Sequence, residues 1–360
     1  MERVQLNERE LTVATLEQGD LLFARSSLKV EGTGKCSLVV SLPETTTFES
    51  HLIRARLERT RADSRFYFYF FQSYVGRATV LSIAKQVGAA GLAGSKLADL
   101  KVPRPPLDTQ VRIADVLTAY DDLIDNNQQR MSLLEESARL LFEEWFVRLR
   151  FPGHEHTRIV KGIPEGWERR PLGDCAKFLS GGTPRKSRPE FWEGHIPWIS
   201  SKEMTQLRLQ DSSLRVTQEG AEQGTRLVPT NTILAVVRGM SLAKEFRVAV
   251  CSQPVTFNQD LKALVAVSDI RPEYLFASLV SQRDQIRDRA TEASHGTKKL
   301  DTPVLSAVPI LVAPERLQRA FCDWVVPMNK LWDNCWRQNQ KLREARDLLL
   351  PRLMSGEVAA

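Results

Sequence analysis

The side chains of this 360-residue chain whose types and spacing could do chemistry are clustered cations and hydroxyls. Contacts to phosphate need Lys, Arg, small hydroxyls or free backbone N–H groups, and reading base edges needs bidentate side chains. The segment Gly181-Gly182-Thr183-Pro184-Arg185-Lys186-Ser187-Arg188 concentrates Thr183, Arg185, Lys186 and Arg188 beside a glycine pair that would let backbone approach phosphates. Ser200, Ser201 and Lys202 follow the apolar run Pro197-Trp198-Ile199, as if at the end of a strand, and Arg238, Ser241 and Lys244 follow the next apolar run. His295, Thr297, Lys298 and Lys299 flank Gly296. In the first half of the chain the matching set is Arg25, Ser26, Lys29, Lys85 and Gln86, and the loop Val87-Gly88-Ala89-Ala90-Gly91 has no lysines. Each cluster also reads as a plain solvated loop. The arginine-rich stretch 54–65 divides between solvated surface and a phosphate-facing role.

Catalytic signatures are missing. There is no Gly-x4-Gly-Lys-Ser/Thr loop for ATP, no Gly-x-Ser-x-Gly nucleophile turn and no cysteine–histidine set with zinc spacing. The Asn/Asp-Pro-Pro-aromatic motif of a methyltransferase is absent too. His154-Glu155-His156 lacks zinc-protease spacing and reads as linker. Asp260-Leu261-Lys262 is an acid-x-lysine half of a nuclease motif, but no Pro-Asp pair completes it, so surface or core packing is expected. The run Phe66-Tyr67-Phe68-Tyr69-Phe70-Phe71 could stack single-stranded bases, and reads better as core. A net charge of +6 points weakly to a polyanionic partner. Five scattered cysteines without a C-x-x-C pair suggest reduced, mostly buried thiols in a cytoplasmic protein. No apolar run approaches the ~18 residues of a membrane span, and the start shows no secretory h-region.

The elements that must position these clusters occur twice. Asp125-Asn126 falls on Asp333-Asn334, an offset of 208 residues, and the register holds without a gap from Gly88 on Gly296 to Leu141 on Leu349. Gln110 then meets Gln318, and Pro106 meets Pro314. Upstream, Phe48 meets Phe257 one residue out of register, and Leu21-Leu22-Phe23-Ala24-Arg25 resembles Ile233-Leu234-Ala235-Val236-Val237-Arg238 after a further small gap. Solenoid repeats run ~20–50 residues, so this period indicates a two-domain duplication. Each copy holds a mixed module, with β-rich runs at 21–24, 37–40, 232–237 and 248–250 and short helices at 64–73 and 272–287. A long helix follows each module, at 107–150 and 315–350, with Pro327 expected to kink the second or begin its regular part. Apolar residues three and four apart include Leu123, Ile124, Met131, Leu134 and Leu141 on the first, and Leu331, Trp332, Cys335, Leu342 and Leu349 on the second. Such stripes require burial against each other or a partner. Asn126 and Asn127, with Asn334, either fix helix register from inside the seam or face solvent.

The second module opens Ile163-Pro164-Glu165-Gly166-Trp167-Glu168 and continues through Pro171-Leu172-Gly173-Asp174, Ser180-Gly181-Gly182-Thr183-Pro184 and Ile196-Pro197-Trp198-Ile199-Ser200-Ser201-Lys202-Glu203-Met204. This order resembles the opening of a target recognition domain in the specificity subunits of Type I restriction-modification systems. Leu100-Lys101-Val102-Pro103-Arg104-Pro105-Pro106-Leu107-Asp108-Thr109-Gln110 is similar to that family's exit into its spacer helix, and Leu348-Leu349-Leu350-Pro351-Arg352-Leu353-Met354-Ser355-Gly356-Glu357-Val358 to its carboxyl terminus. The resemblance spans nearly the whole chain and rests on the combined order of the motifs.

The resemblance implies an α+β fold, with two similar mixed α/β target recognition domains joined by two long helices packed as an antiparallel coiled coil. The expected domains are 1–105 (a short first recognition domain), 106–150 (central spacer helix), 151–162 (linker), 163–313 (second recognition domain) and 314–360 (C-terminal spacer helix). It implies a non-catalytic subunit that reads a bipartite site in double-stranded DNA. Its helices would dock methyltransferase subunits, two in number, and restriction subunits would join the assembly. The family also places a strand-end arginine at Arg238 and a recognition loop at 295–299. No cofactor is expected on this chain; S-adenosylmethionine, ATP and Mg would belong to partner subunits. The first module lacks the Pro-x-Gly-Trp opening, the Ser-Gly-Gly-Thr-Pro loop and the Pro-Trp-Ile segment of the second. Either the start is misplaced or truncated, or the first domain is naturally short and reads its half-site poorly or not at all. The alternative function is an assembly scaffold, or partly inactive remnant, that binds methyltransferase subunits without full DNA readout.

Overall fold

The computed structural model describes residues 3–27, 29–84, 90–293 and 296–358. The fold is α+β and forms two compact units, Met1–Gln128 with Arg337–Ala360, and Gln129–Trp336.

In the Gln129–Trp336 unit five strands form a sheet in the order Arg208–Leu209, Val248–Cys251, Ile233–Val236, Leu261–Ala266, Ala176–Ser180. The central strand Ile233–Val236 is buried throughout, so its sequence is continuously apolar instead of alternating. Its side chains divide by face, as a two-residue period demands. Ile233 and Ala235 pack with Phe246, Leu275 and Leu305, while Leu234 and Val236 pack with Ile199, Val228 and Phe257.

The other unit holds a three-stranded version, Cys36–Leu38, Leu21–Ala24, Leu52–Ala55. The pairing register is the same in both. Leu21 faces Leu38 and Ala55, while Ile233 faces Val250 and Leu264. The helices Ser64–Gln72 and Pro272–Ser281, Gly94–Ala98 and Thr302–Ser306, and the long helices from Leu107 and Glu315 each begin at equivalent positions. The duplication extends to hydrogen bonds. Buried Gln110 accepts from the Asp63 N–H (3.0 Å) and donates to the carbonyls of Pro105 (2.8 Å) and Arg61 (3.4 Å). Buried Gln318 accepts from the Arg271 N–H (3.0 Å) and donates to the carbonyls of Ala313 (2.8 Å) and Asp269 (3.5 Å), the equivalent residue in each case. Strand register also refines one sequence match. Ser26 pairs with Gly91 as Arg238 pairs with Lys299, so Ser26, not Arg25, stands where the second module has Arg238.

The aromatic run is core: Phe66, Tyr67, Tyr69, Phe70 and Phe71 are the buried residues of the helix Ser64–Gln72 and cluster with Leu21, Phe23 and Cys36 of the three-stranded sheet. The expected helix 272–287 is two, Pro272–Ser281 and Arg283–Arg287, broken at Gln282. The first long helix is α-helical over Leu107–Phe142, passes through a π-helical turn at Glu143–Val147, and stops before Leu149, whose φ of 60° no α-helix accommodates. The second runs Glu315–Ser355 without interruption at Pro327. The segment expected as a linker carries structure of its own: Ile159–Val160 pairs with Ile163–Pro164, and Phe151 is buried against Trp167.

In both units the two long helices run antiparallel. Asp121 pairs with Arg346, and Asn127 donates to Asn339 (3.0 Å) and Gln338 (3.3 Å) while Asn339 donates to the Ile124 carbonyl (3.1 Å). Asn127 is therefore inside the seam, the first of the two expected options, whereas Asn126 and Asn334 are exposed, the second. In the Gln129–Trp336 unit the equivalent layer is apolar, with Met131 against Trp332 and Cys335, flanked by half-buried Leu134. Leu141 packs with Phe142 and Phe321, Leu349 with Leu117 and Leu353, and Leu342 is half-buried. Leu123 and Leu331 depart from the expected helix–helix seam, with 55% and 43% exposure. Both directly precede a buried residue, Ile124 or Trp332, and one step along a helix turns a side chain ~100° away.

Candidate nucleic-acid interface

Antiparallel pairing brings the end of strand Ile233–Val236, the start of Leu261–Ala266 and the end of Ala176–Ser180 to one end of the five-stranded sheet. The basic loops leave from this end. Val237 donates its N–H to the Asp260 carbonyl (2.9 Å), and the chain enters Arg238–Gly239, which pairs with Lys298–Lys299. Thr183 donates to the Gln259 side chain (2.8 Å), tying the 181–188 loop to the same turn. The Asn258 N–H donates to the Ile199 carbonyl (3.0 Å), which brings Ser200 and Lys202 alongside. Four segments far apart in sequence thus meet around the turn 258–260.

Within this cluster the side chains differ in availability. Arg185, Lys186, Lys202, Arg238 and Lys244 are exposed, and none of them is in an ion pair among the described residues. Lys298 is half-buried on the edge pairing, while Lys299 pairs with Asp301 (2.9 Å). Arg188 is engaged within the protein: its guanidinium lies 4.2 Å from the Phe191 ring centre and pairs with Glu190 (2.7 Å) and Glu219 (3.6 Å). Ser200 gives its N–H to Glu203 (3.1 Å), and the Ser241 carbonyl accepts from Lys244 and Glu245. Thr297 accepts from the Ala293 N–H (2.8 Å), closing the turn that contains Gly296 at φ 69°. His295 lies outside the described residues.

The glycine pair plays another part than expected. A Cβ on Gly181 would lie 2.2 Å from the Phe257 carbonyl oxygen, and one on Gly182 would lie 2.4 Å from that of Gly224. The Gly182 N–H already donates to Phe257 (2.9 Å). These glycines let the loop pack closely on its own domain, and the N–H of Gly182 is already engaged there. Asp260 is half-buried and accepts from the Asn258 amide (3.1 Å). Lys262 and Gln259 were missed as members of this end of the sheet; Lys262 Nζ donates to Ser180 Oγ (2.6 Å). The only signal was their position directly after a turn, which many surface residues share.

In the other unit Arg25, Ser26 and Lys29 are exposed at the end of strand Leu21–Ala24. The pairing that carries Arg238 and Lys299 in the second copy carries Ser26 and Gly91 here. Lys85 and Gln86 lie outside the described residues. All five cysteines are buried and free, and burial pushes the Cys36, Cys251 and Cys322 thiols up to about 12. Among the described residues no group of acids, histidines or cysteines could hold a metal ion, and no helix is long and apolar enough to cross a membrane.

One further polar site ties the edge of the five-stranded sheet to the second long helix. Arg208, buried on the edge strand, gives Nε to Asp333 (3.3 Å) and lies 5.7 Å from the Trp332 ring centre. Gln210 and Ser252 also donate to Asp333.

The family model described as "Type I restriction modification DNA specificity domain" matches residues 11–136 and 164–320. The chain belongs to that family. Each matched segment covers one mixed module, the first together with most of its long helix and the second with only the start of its long helix. The chain is 27% identical over 305 residues to the Type I restriction enzyme MjaIX specificity subunit of Methanocaldococcus jannaschii, covering 82% of this chain and 69% of that one. It is 35% identical over 147 residues to the EcoR124I/EcoR124II specificity subunit of Escherichia coli, covering 40% of this chain and 36% of that one. In fold it matches the crystal structure of the S subunit of a Type I restriction-modification system from M. genitalium, with a TM-score of 0.60, 16% identity, and coverage of 94% of this chain and 84% of that one.

Proposed function

We propose that this chain is the non-catalytic DNA sequence-recognition subunit of a Type I restriction-modification complex, located in the cytoplasm. In this reading the recognition domains are 1–105 and 163–313, and each addresses one half of a bipartite site in double-stranded DNA. The helices 106–150 and 314–360 form the spacer and dock two methyltransferase subunits, and restriction subunits join that assembly. S-adenosylmethionine, ATP and Mg belong to those partners. Supporting this is one observation above the others: two modules with identical strand register, the second carrying exposed Arg185, Lys186, Lys202, Arg238 and Lys244 at one end of its sheet. Duplicated readers suit half-sites about one helical turn, ~34 Å, apart. Exposed Leu123 and Leu331 are available to a docked subunit.

A second reading has its own support. Where the second module has Arg238 and Lys299, the first has Ser26 and Gly91, so the first reads DNA weakly or the chain acts mainly as a scaffold. Co-expression with the methyltransferase subunit, followed by sequencing of the host DNA for methylated bases, separates the two. A gapped bipartite motif supports two working readers. A motif built from a single half-site restricts recognition to the second module. A stable complex with no methylation refutes DNA readout and leaves the scaffold.

A further inference from the structure

Away from the basic end of the sheet, the Gln129–Trp336 unit contains a cavity of about 380 Å³. It lies between the two long helices, the helix Pro272–Ser281 and the sheet edge at Leu207, Arg208 and Val250. Its size is at the small end of the ~300–1,000 Å³ typical of ligand sites. The walls are mainly apolar, with Phe142, Phe276, Phe321, Val280 and Val325.

The charged side chains of this cavity are unevenly paired. Three arginines line it, and each already has an acid: Arg139 holds Glu136 and Glu143, Arg208 holds Asp333, and Arg283 approaches Glu245 (3.8 Å). Three glutamates line it as well, and only Glu136 forms a salt bridge among the described residues. Glu273 is half-buried and accepts only the weak S–H of Cys322 (3.7 Å). Glu135 is half-buried, and burial raises its pKa; the Trp332 indole N–H, which completes no hydrogen bond of good geometry, offsets this in part, as does Arg208. Glu273 therefore faces the cavity without a salt bridge, and Glu135 has as a cation only Arg208, beyond salt-bridge range, to offset its burial, so a bound cation would be favoured there.

We propose that this cavity is a binding site for a small organic cation with a flat apolar body, such as an aryl amidine, held by Glu273 and Glu135 against the phenylalanine walls. An amidinium presents parallel N–H donors to a carboxylate, and its ring suits the aromatic lining. The site is distinct from the DNA-facing loops, where an excess of cations would repel such a ligand.

The test is a fluorescence titration of the full chain with p-aminobenzamidine, set beside its neutral analogue p-aminobenzamide. Saturable binding of the amidine is expected, with the amide weaker by about tenfold, or about 1.4 kcal/mol. Glu273→Gln and Glu135→Gln should each weaken amidine binding by about fivefold or more, while their thermal unfolding and salt-dependent DNA binding stay as in the parent chain. Equal affinity for amidine and amide would overturn the proposal. So would unchanged amidine binding in both variants, or no saturation up to about 5 mM.

Discussion

Replacing Gln318 by Leu should destabilise the Gln129–Trp336 unit by ~2–4 kcal/mol. The leucine fills similar space but offers neither an acceptor to the Arg271 N–H nor a donor to the Ala313 carbonyl, which Gln318 meets at 3.0 and 2.8 Å. Each backbone group left buried without a partner costs ~1–3 kcal/mol, and the added apolar burial recovers part of the sum. Arg271 is the residue that begins the helix Pro272–Ser281, so the loss falls on a helix start that has no side-chain cap. The assay is urea unfolding followed by tryptophan fluorescence. All seven tryptophans lie within this unit, so their signal reports on it alone. Gln110→Leu should lower the stability of the other unit by a similar amount, with faster amide exchange at Asp63, and leave the tryptophan transition nearly in place. If both variants shift stability by less than about 0.5 kcal/mol, the buried amides are not the structural anchors that their matching hydrogen bonds indicate.

Arg238→Ala and Lys202→Ala should each reduce the slope of log K against log salt for DNA binding by about one, whereas Arg188→Ala, already stacked on Phe191 and paired with Glu190, should change it much less; filter binding across a salt series checks this. Asn127→Leu alone should cost ~1–3 kcal/mol by stranding the buried Asn339 amide, while Asn127→Leu with Asn339→Leu should cost less than the two singles added, as a double-mutant cycle in urea would show. Acid unfolding should depend on Glu203. Burial works against its charge, but hydrogen bonds from Ser212, Ser200 and Ser213 prevail and hold its pKa below the usual glutamate value. A carboxylate depressed in the folded state contributes stability that is present above the unfolded pKa of ~4.3 and is lost as pH falls through the lower folded value. Glu203→Gln should therefore flatten stability against pH in the window just below ~4.3, measured by thermal unfolding across pH.

Local rules made much of the fold legible. The strand at Leu21–Ala24, the helix at Ser64–Gln72 and the starts of both long helices follow from apolar pattern and punctuation, because those signals act within a few residues. The 208-residue self-match was legible for a different reason: a duplicated module keeps residues such as Gln110 and Gln318 that close the same backbone hydrogen bonds. The candidate interface was readable as a set of basic loops, but their relative availability was not. Arg188 looked equal to Arg185 in sequence, and Phe191 with Glu219 consumed it.

By itself the sequence determined the α+β class, the duplication, the paired long helices and the family, since each is written in periodicity, spacing or ordered motifs. Tertiary structure alone decided that Gly181 and Gly182 serve packing, that Leu123 and Leu331 face outward, that Asn127 meets Asn339, and that Arg208 locks onto Asp333. Apart from the two leucines, whose facing depends on which side of each helix the partner covers, these outcomes join residues tens to hundreds of positions apart. Close packing, not local preference, selects which side chain meets which, and no short window of sequence contains both partners.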